Sequence, residues 1–311
     1  MVGCRSPARI PLLLTVYARN LMKRGYKVVD VFTKMPFTGN PVAVVLDAQG
    51  LTTQAMQAIA NWTNLSETTF VLPPQSEEAD YRLRIFTPRS ELPFAGHPTL
   101  GSAHAVLEAG RATPRNGQLV QECAVGLVGL KVGGSAADRQ LSFALPPARQ
   151  AVLEQADRTE LEAILGVAVD DIAPPMMVNV GPVWIVARVA SVDQLLALQP
   201  DFGRSQVFEQ RLGVTGISVF ALKDDCGTDI EVRSFAASQG VNEDPVCGSG
   251  NGSVAVFRHV HGLLPSGVED YTATQGQCVG RTGRVHVHVG ADGGVEIGGQ
   301  CVTTVDGFLA D

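Results

Sequence analysis

Two stretches of this chain set titratable side chains and glycines at the mouth of an apolar run. In Asn242-Glu243-Asp244-Pro245-Val246-Cys247-Gly248-Ser249-Gly250-Asn251-Gly252, carboxylates, a thiol and alternating glycines lead into an amphipathic stretch that ends at Gly262. In Glu91-Leu92-Pro93-Phe94-Ala95-Gly96-His97-Pro98-Thr99-Leu100-Gly101 the plan recurs, with His97 at the mouth and Gly110 at the far end. Each reads as a loop feeding a helix. Glycines there let a ligand approach the backbone, and the free N–H groups of a first helical turn favour a carboxylate or phosphate. An ordinary Gly-rich turn with a cap would read the same way in isolation, but a second copy points to a paired site. His97 is either a cap or a donor to a bound ligand. Glu67, at the head of Glu67-Thr68-Thr69-Phe70-Val71-Leu72, is by itself an ordinary solvated strand end, and its role depends on what faces it.

The elements that position these residues follow from the apolar spacing. Lys27 to Phe32 and Val42 to Leu46 have the β-branched bias of strands, joined through the turn Phe37-Thr38-Gly39-Asn40-Pro41. A helix capped by Thr52 or Thr53 carries Ala55, Met56, Ile59 and Ala60 on one face. Tyr81 to Phe86 alternates as a strand and precedes the first loop, as Asp229 to Phe235 precedes the second. In between, Asp157-Arg158-Thr159-Glu160 reads as a capping box, Met177 to Val186 as a Gly181-Pro182 turn before a buried strand, Ser191 as another cap and Gly216 to Leu222 as a strand. The echo of Pro41 in Pro182 and of Gly96 in Gly248 is that of a duplicated domain, not a short repeat. Two such α/β halves would face each other across a cleft, a common place for a small-molecule site.

Composition narrows the ligand. The 311 residues are 45% hydrophobic and 18% charged, with a formal net charge of −7 and no basic cluster. That argues against nucleic acid or an anionic membrane surface as partner and favours a small metabolite. Six scattered cysteines without a C-x-x-C pair imply free thiols in a reducing, cytoplasmic setting. His286 and His288 share one strand face, yet no third ligand lies nearby in sequence, so no metal site is expected. Residues 1–24 loosely resemble a secretory signal, but their apolar run is short and contains Pro11, so an N-terminal extension is expected.

Five motifs carry a family resemblance in the right order: Thr38-Gly39-Asn40-Pro41, Asn64-Leu65-Ser66-Glu67-Thr68, Phe86-Thr87-Pro88, the stretch from Glu91 to Gly101, and Glu243-Asp244-Pro245-Val246-Cys247-Gly248-Ser249. From about residue 26 onward the chain resembles the phenazine-biosynthesis PhzF family, related in fold to diaminopimelate epimerase and proline racemase. The resemblance implies an α/β (α+β), duplicated epimerase-like fold in which each lobe wraps a curved, barrel-like sheet around a central helix. Lobe 1 would comprise 25–138 plus 300–311 and lobe 2 would comprise 139–299. Glu67 then matches the family's acid/base carboxylate, and His97 and Asp244 match residues that orient substrate and assist proton transfer. Gly96 and Ser249 fall in matching anion-binding turns with Gly248 and Gly250. The family also implies a homodimer. One departure is Cys247, where the phenazine enzymes carry Thr and diaminopimelate epimerase carries one of two catalytic cysteines. The other cysteine would fall at Ala95, which excludes a two-thiol epimerase.

The expected chemistry is a cofactor-independent isomerisation of a small carboxylic or amino acid. Proton removal beside a carboxylate makes an enolate-like anion that the helix N-termini would stabilise, and Glu67 would return the proton to the same or another carbon. A water-poor cleft would raise the pKa of Glu67. Cys247, at a helix start, would have its thiolate favoured and is either a second acid/base or a small buried residue in place of Thr. Two rivals remain: a non-catalytic carboxylate-binding protein on the same fold, and a hydrolase with Cys247 as nucleophile and His97 as base.

Overall fold

The computed structural model describes residues 22–136, 138–223, 229–264 and 269–310. The expected N-terminal extension therefore lies almost wholly outside the described residues, as do Cys4 and Cys226. The first half contains β1 (Lys23–Val31), β2 (Asn40–Val45), α1 (Thr53–Thr63), β3 (Thr68–Leu72), β4 (Tyr81–Phe86), β5 (Glu91–Leu92), α2 (Gly96–Glu108), β6 (Gln118–Cys123), β7 (Gly126–Gly133) and β8 (Gln140–Ala144). The second contains β9 (Arg149–Val152), α3 (Gln155–Leu165), β10 (Met176–Asn179), β11 (Val183–Arg188), α4 (Val192–Ala197), α5 (Phe202–Leu212), β12 (Gly216–Leu222), β13 (Ile230–Ala236) and β14 (Val241–Asp244). It continues with α6 (Gly248–Val260), β15 (Glu269–Gln275), β16 (Gly283–Val289), β17 (Val295–Gly299) and β18 (Cys301–Ala310).

Strand pairing repeats. In the first half β1 pairs antiparallel with β2, β2 parallel with β3, β3 antiparallel with β4, and β4 antiparallel with β5 and parallel with β6, followed by the antiparallel ribbon β6–β7–β8. The second half runs through the same sequence of pairings with β10, β11, β12, β13, β14, β15, β16 and β17. Each half gains an outer strand on its first strand, β18 on β1 and β9 on β10. The antiparallel pair β8–β17 joins the two series into one 18-stranded sheet. The repetition expected from Pro41/Pro182 and Gly96/Gly248 is thus a repetition of topology.

Each half holds a central helix. Helix α2 packs on β1, β2, β3, β4, β8 and β18, while α6 packs on β10, β11, β12, β16 and β17, and the two helices touch. Residues 97–107 of α2 are all buried, as are 250–258 of α6, which is why neither helix shows the one-sided stripe of a surface helix. A single apolar core runs through both halves, from Val29, Val42 and Leu100 to Val254, Phe257 and Ile297. Separate clusters seat α1 through Met56 and Ala60, and α3 and α5 through Leu161, Ile164 and Phe208.

Local chemistry explains three of the helix starts. Thr52 caps α1, Ser191 caps α4 and Asp201 caps α5, each accepting from a backbone N–H in the first turn. The capping box at Asp157 is a misreading. The helix begins at Gln155 after Glu154, which makes no side-chain cap. Both acidic side chains are drawn instead to α5, Asp157 to Arg211 and Glu160 to Arg204, so tertiary ion pairs outcompete the local cap.

Gly101 sets how closely α2 approaches the sheet. A Cβ there would lie 2.4 Å from Val42 Cγ1 and 2.9 Å from Val31 Cγ2, both fully buried. Gly101→Ala should cost about 1–3 kcal/mol by overpacking, while Gly129→Ala, which meets open space, should stay within about 0.5 kcal/mol. Urea unfolding of both variants checks this, and equal midpoints would contradict close packing at Gly101.

Candidate active site

Glu67 leaves α1 through Asn64, which takes a left-handed φ of 55°, and enters just before β3. Its carbonyl accepts from Ala43 N, which fixes the backbone against β2. The side chain is 16% exposed and its Oε2 lies 3.3 Å from Nε2 of His97, itself 8% exposed. Neither of those two atoms has a hydrogen-bond partner meeting geometric criteria. The other imidazole nitrogen donates to the carbonyl of Pro41, so Nε2 carries the lone pair of a neutral ring.

Burial controls protonation. It pushes Glu67 up to about 8, assisted by the negative charge of Asp244, and pushes His97 down to about 3 against the Pro41 bond. Glu67 and His97 are therefore both neutral at pH 7, and their contact is that of a protonated carboxyl against an imidazole lone pair, not an ion pair. Asp244 is raised to about 6, mainly by burial and further by Glu243, while hydrogen bonds from Val246 N and Cys247 hold it down. At pH 7 it is largely ionised.

Asp244 ends β14 and is held from both halves. Asn40, fully buried at the start of β2, donates through Nδ2 to Asp244 Oδ1 at 2.9 Å and to the Val246 carbonyl at 2.9 Å. Gln275, at the end of β15, donates to the Asp244 carbonyl at 2.9 Å and accepts from Cys247 N at 3.2 Å. The preceding Glu243 is anchored by Arg233 through two hydrogen bonds of 3.0 and 2.7 Å. Arg233 also donates to the Leu195 and Leu198 carbonyls, which satisfies this buried charge.

Cys247 is the N-cap of α6, and its Sγ accepts from Gly250 N at 3.3 Å. The expectation of a favoured thiolate is corrected here. Burial and the adjacent Asp244 drive the thiol well above its usual range, outweighing the Gly250 and Ser249 hydrogen bonds, and the thiol donates to the Asp244 carboxylate. Ser249 is held by Trp184 Nε1 at 3.0 Å. Gly250 admits no side chain, because a Cβ would meet Ser218 Oγ at 2.6 Å and Ser234 Oγ at 2.7 Å. A Cβ on Gly248 would lie 3.8 Å from the backbone nitrogen of His97, so the two helix N-termini converge.

Glu67, His97, Asp244, Cys247, Gly96, Gly248, Ser249 and Gly250 thus collect where α2 and α6 begin. Sequence reasoning gave no role to Asn40, Gln275 or Trp184. Asn40 had a visible signal in its Gly-Asn-Pro turn, whereas Gln275 ends a strand with no local cue. His286 and His288 lie away from this place on the polar face of β16, where His288 meets Asp270 at 2.8 Å. Among the described residues no group of three or more His, Cys, Asp or Glu is placed to hold a metal ion, and no helix is long and apolar enough to cross a membrane. Cys123, Cys247, Cys278 and Cys301 are free thiols.

Residues 29–307 match the model of the phenazine biosynthesis-like protein family. The chain belongs to this family. It is 41% identical over 297 residues to antisense-enhancing sequence 1 of Schizosaccharomyces pombe, covering 92% of this chain and 99% of that protein. It is 34% identical over 290 residues to the trans-2,3-dihydro-3-hydroxyanthranilate isomerase of Pseudomonas aeruginosa, covering 91% and 98% respectively. Among solved structures, a Bacillus anthracis phenazine biosynthesis protein of the PhzF family superposes with a TM-score of 0.83 at 26% identity, covering 93% of this chain and 99% of that one. A hydroxyproline epimerase from Agrobacterium vitis shares the fold, with a TM-score of 0.61 at 14% identity, 93% of this chain and 92% of that one. The fold is therefore the duplicated epimerase-like α/β fold, and the chain is a PhzF-family isomerase.

The raised Glu67 carries a stability signature. Its folded value lies above the unfolded 4.5, so its contribution is fully present below pH 4.5 and is lost as pH rises through about 8. His97 works in the opposite sense below pH 6.5, and Asp244 has finished titrating by about pH 7. Between pH 6.5 and 8 the wild type should lose about 2 kcal/mol relative to Glu67→Gln. Urea melts of both proteins across that window measure this, and parallel curves would show Glu67 to be unperturbed.

Proposed function

We propose that this PhzF-family isomerase moves a proton beside a carboxylate without a cofactor, on a small carboxylic or amino acid, as a 1,3-shift, epimerisation or racemisation. The observation that carries the reading is Glu67 buried against His97 at the converging N-termini of α2 and α6. The backbone N–H groups at Gly96, Gly248, Ser249 and Gly250 would hold the substrate carboxylate and the enolate-like charge that grows on it. Glu67 would take the proton as carboxylate and return it as acid. A value near 8 suits both halves of that task at neutral pH. His97, neutral and fixed by Pro41, would accept from the protonated Glu67 and orient it, while Asp244 would assist proton transfer.

Two lobes would close around the substrate. We place their junction at the β8–β17 pair, so that β8 completes the first lobe by topology instead of opening the second at residue 139. The Pseudomonas relatives named for trans-2,3-dihydro-3-hydroxyanthranilate act on a carboxylate, which supports the substrate class without fixing the substrate. A cytoplasmic homodimer is the assembly expected with it.

The thiol's bonds to Asp244 and Gly250 favour Cys247 as a cap and tether over a second base or a nucleophile. Screening small amino and hydroxy acids in deuterium oxide by mass shift tests the function. Wild type should incorporate solvent deuterium, and Glu67→Gln should abolish it, by about 100-fold or more. Cys247→Ser, which can also cap and donate, should retain activity within about tenfold. Undiminished exchange in Glu67→Gln would remove Glu67 as the base, and loss in Cys247→Ser by orders of magnitude would make the thiol a reacting group.

A further inference from the structure

Each central helix is braced by a buried glutamine at its fourth residue. In the first half, Gln121 on β6 donates through Nε2 to Thr99 Oγ1 at 3.1 Å, and its Oε1 accepts from the Tyr81 hydroxyl at 3.0 Å. In the second half, Gln275 on β15 accepts from Asn251 Nδ2 at 2.8 Å. Thr99 and Asn251 are the fourth residues of α2 and α6, and all four of these side chains are at least 99% buried. The braces differ in what the rest of the amide does. Gln121 spends its oxygen on Tyr81, within the β4–β6 pair. The oxygen of Gln275 also accepts from Cys247 N at 3.2 Å, and its Nε2 donates to the Asp244 carbonyl at 2.9 Å.

We propose that Gln275 is the positioning residue of the reaction, one planar amide that fixes the Asp244–Cys247 turn to α6 and so sets the direction of the Asp244 carboxylate toward Glu67. This rests on the proton-transfer reading above. The physical basis is span. Asp244 C=O, Cys247 N–H and Asn251 Nδ2 lie at the two ends of the turn and one turn into the helix, and among the described residues no other side chain bonds all three. With Asn40 holding the Asp244 carboxylate from the other half, Gln275 supplies the second fixed point that stops the turn from pivoting about Asn40. Its amide bonds the Asp244 carbonyl, Cys247 N and Asn251, and none of the reacting carboxyl groups, so it acts through the turn.

The test compares Gln275→Met with Gln121→Met in the full chain, both near-isosteric losses of a buried amide. Peptide-resolved backbone hydrogen exchange should show faster exchange across 244–252 in Gln275→Met, with 96–103 as in wild type, and the reverse in Gln121→Met. In the deuterium assay, Gln275→Met should lower kcat by about tenfold or more with KM changed less than about threefold, because misdirected groups slow transfer without weakening ground-state binding. Gln121→Met, whose brace reaches neither Asp244 nor Cys247, should lower kcat several-fold less than Gln275→Met at a comparable loss of midpoint stability. If Gln275→Met does not fold, Gln275→Glu, which keeps the acceptor and loses the donor to Asp244, is read in the same way. Equal exchange increases in both peptides, or a kcat loss no larger than in Gln121→Met, would reduce Gln275 to a general packing role and overturn the proposal. A wild type inert toward every acid screened would sink the proton-transfer reading itself, while the exchange pattern would still decide whether Gln275 fixes the turn.

Discussion

The desolvation of Glu67 is the constraint on which the rest of the site depends. A carboxylate enclosed beside an imidazole and a second carboxylate cannot ionise as it would in water, so it keeps its proton to about pH 8. The same enclosure keeps His97 neutral, because a buried imidazolium would be equally costly. Hydrogen bonds from Val246 and Cys247 hold Asp244 down against the same burial, so that it is largely ionised at pH 7. Three groups of ordinary type therefore acquire three different protonation habits from one physical cause, and the difference between Glu67 and Asp244 is a matter of donors supplied.

Duplication provides the setting. Two copies of one strand order bring two helix N-termini together, and the two starts have diverged in side chain while keeping the backbone: Ala95, Gly96 and His97 on α2 against Cys247, Gly248 and Ser249 on α6. The approach is close enough that Phe32, with a left-handed φ of 65° and no exposed surface, packs where a Cβ on Gly248 would come within 3.3 Å of its ring. A bulky residue in that conformation carries backbone strain of about 1–3 kcal/mol, offset here by full burial between the halves. Cross-links such as Asn40 to Asp244 then tie a strand of one half to the Asp244–Cys247 turn of the other.

Local signals recovered much of this from sequence. The Gly-rich mouths of α2 and α6, the Thr52 and Ser191 caps, and the β-branched strands β1, β2, β4 and β12 follow from short-range rules, and the repeat of motifs exposed the duplication. What escaped was decided by tertiary partners. Asp157 and Glu160 look like a capping box until Arg211 and Arg204 claim them. Cys247 looks like an activated thiol at a helix start until its burial, and then the charge of Asp244 beside it, are taken into account. Gln275 has no signal at all, because a polar strand residue acquires meaning only when Cys247, Asn251 and the Asp244 carbonyl converge on it. The assignment of Glu67 and His97 to one site came from family resemblance, since thirty positions of chain separate the pair without a pattern to connect them, and their contact is known only from the structure.

The central claim, that burial holds Glu67 protonated near neutrality, is open to direct titration. Carboxyl carbon NMR of protein labelled at glutamate, with Glu67→Gln used to assign the resonance, follows that single group through pH. A midpoint near 8 is expected. A midpoint near 4.5 would mean that Glu67 is solvated and ionised, and would contradict both its pairing with neutral His97 and the proposal that it carries the proton.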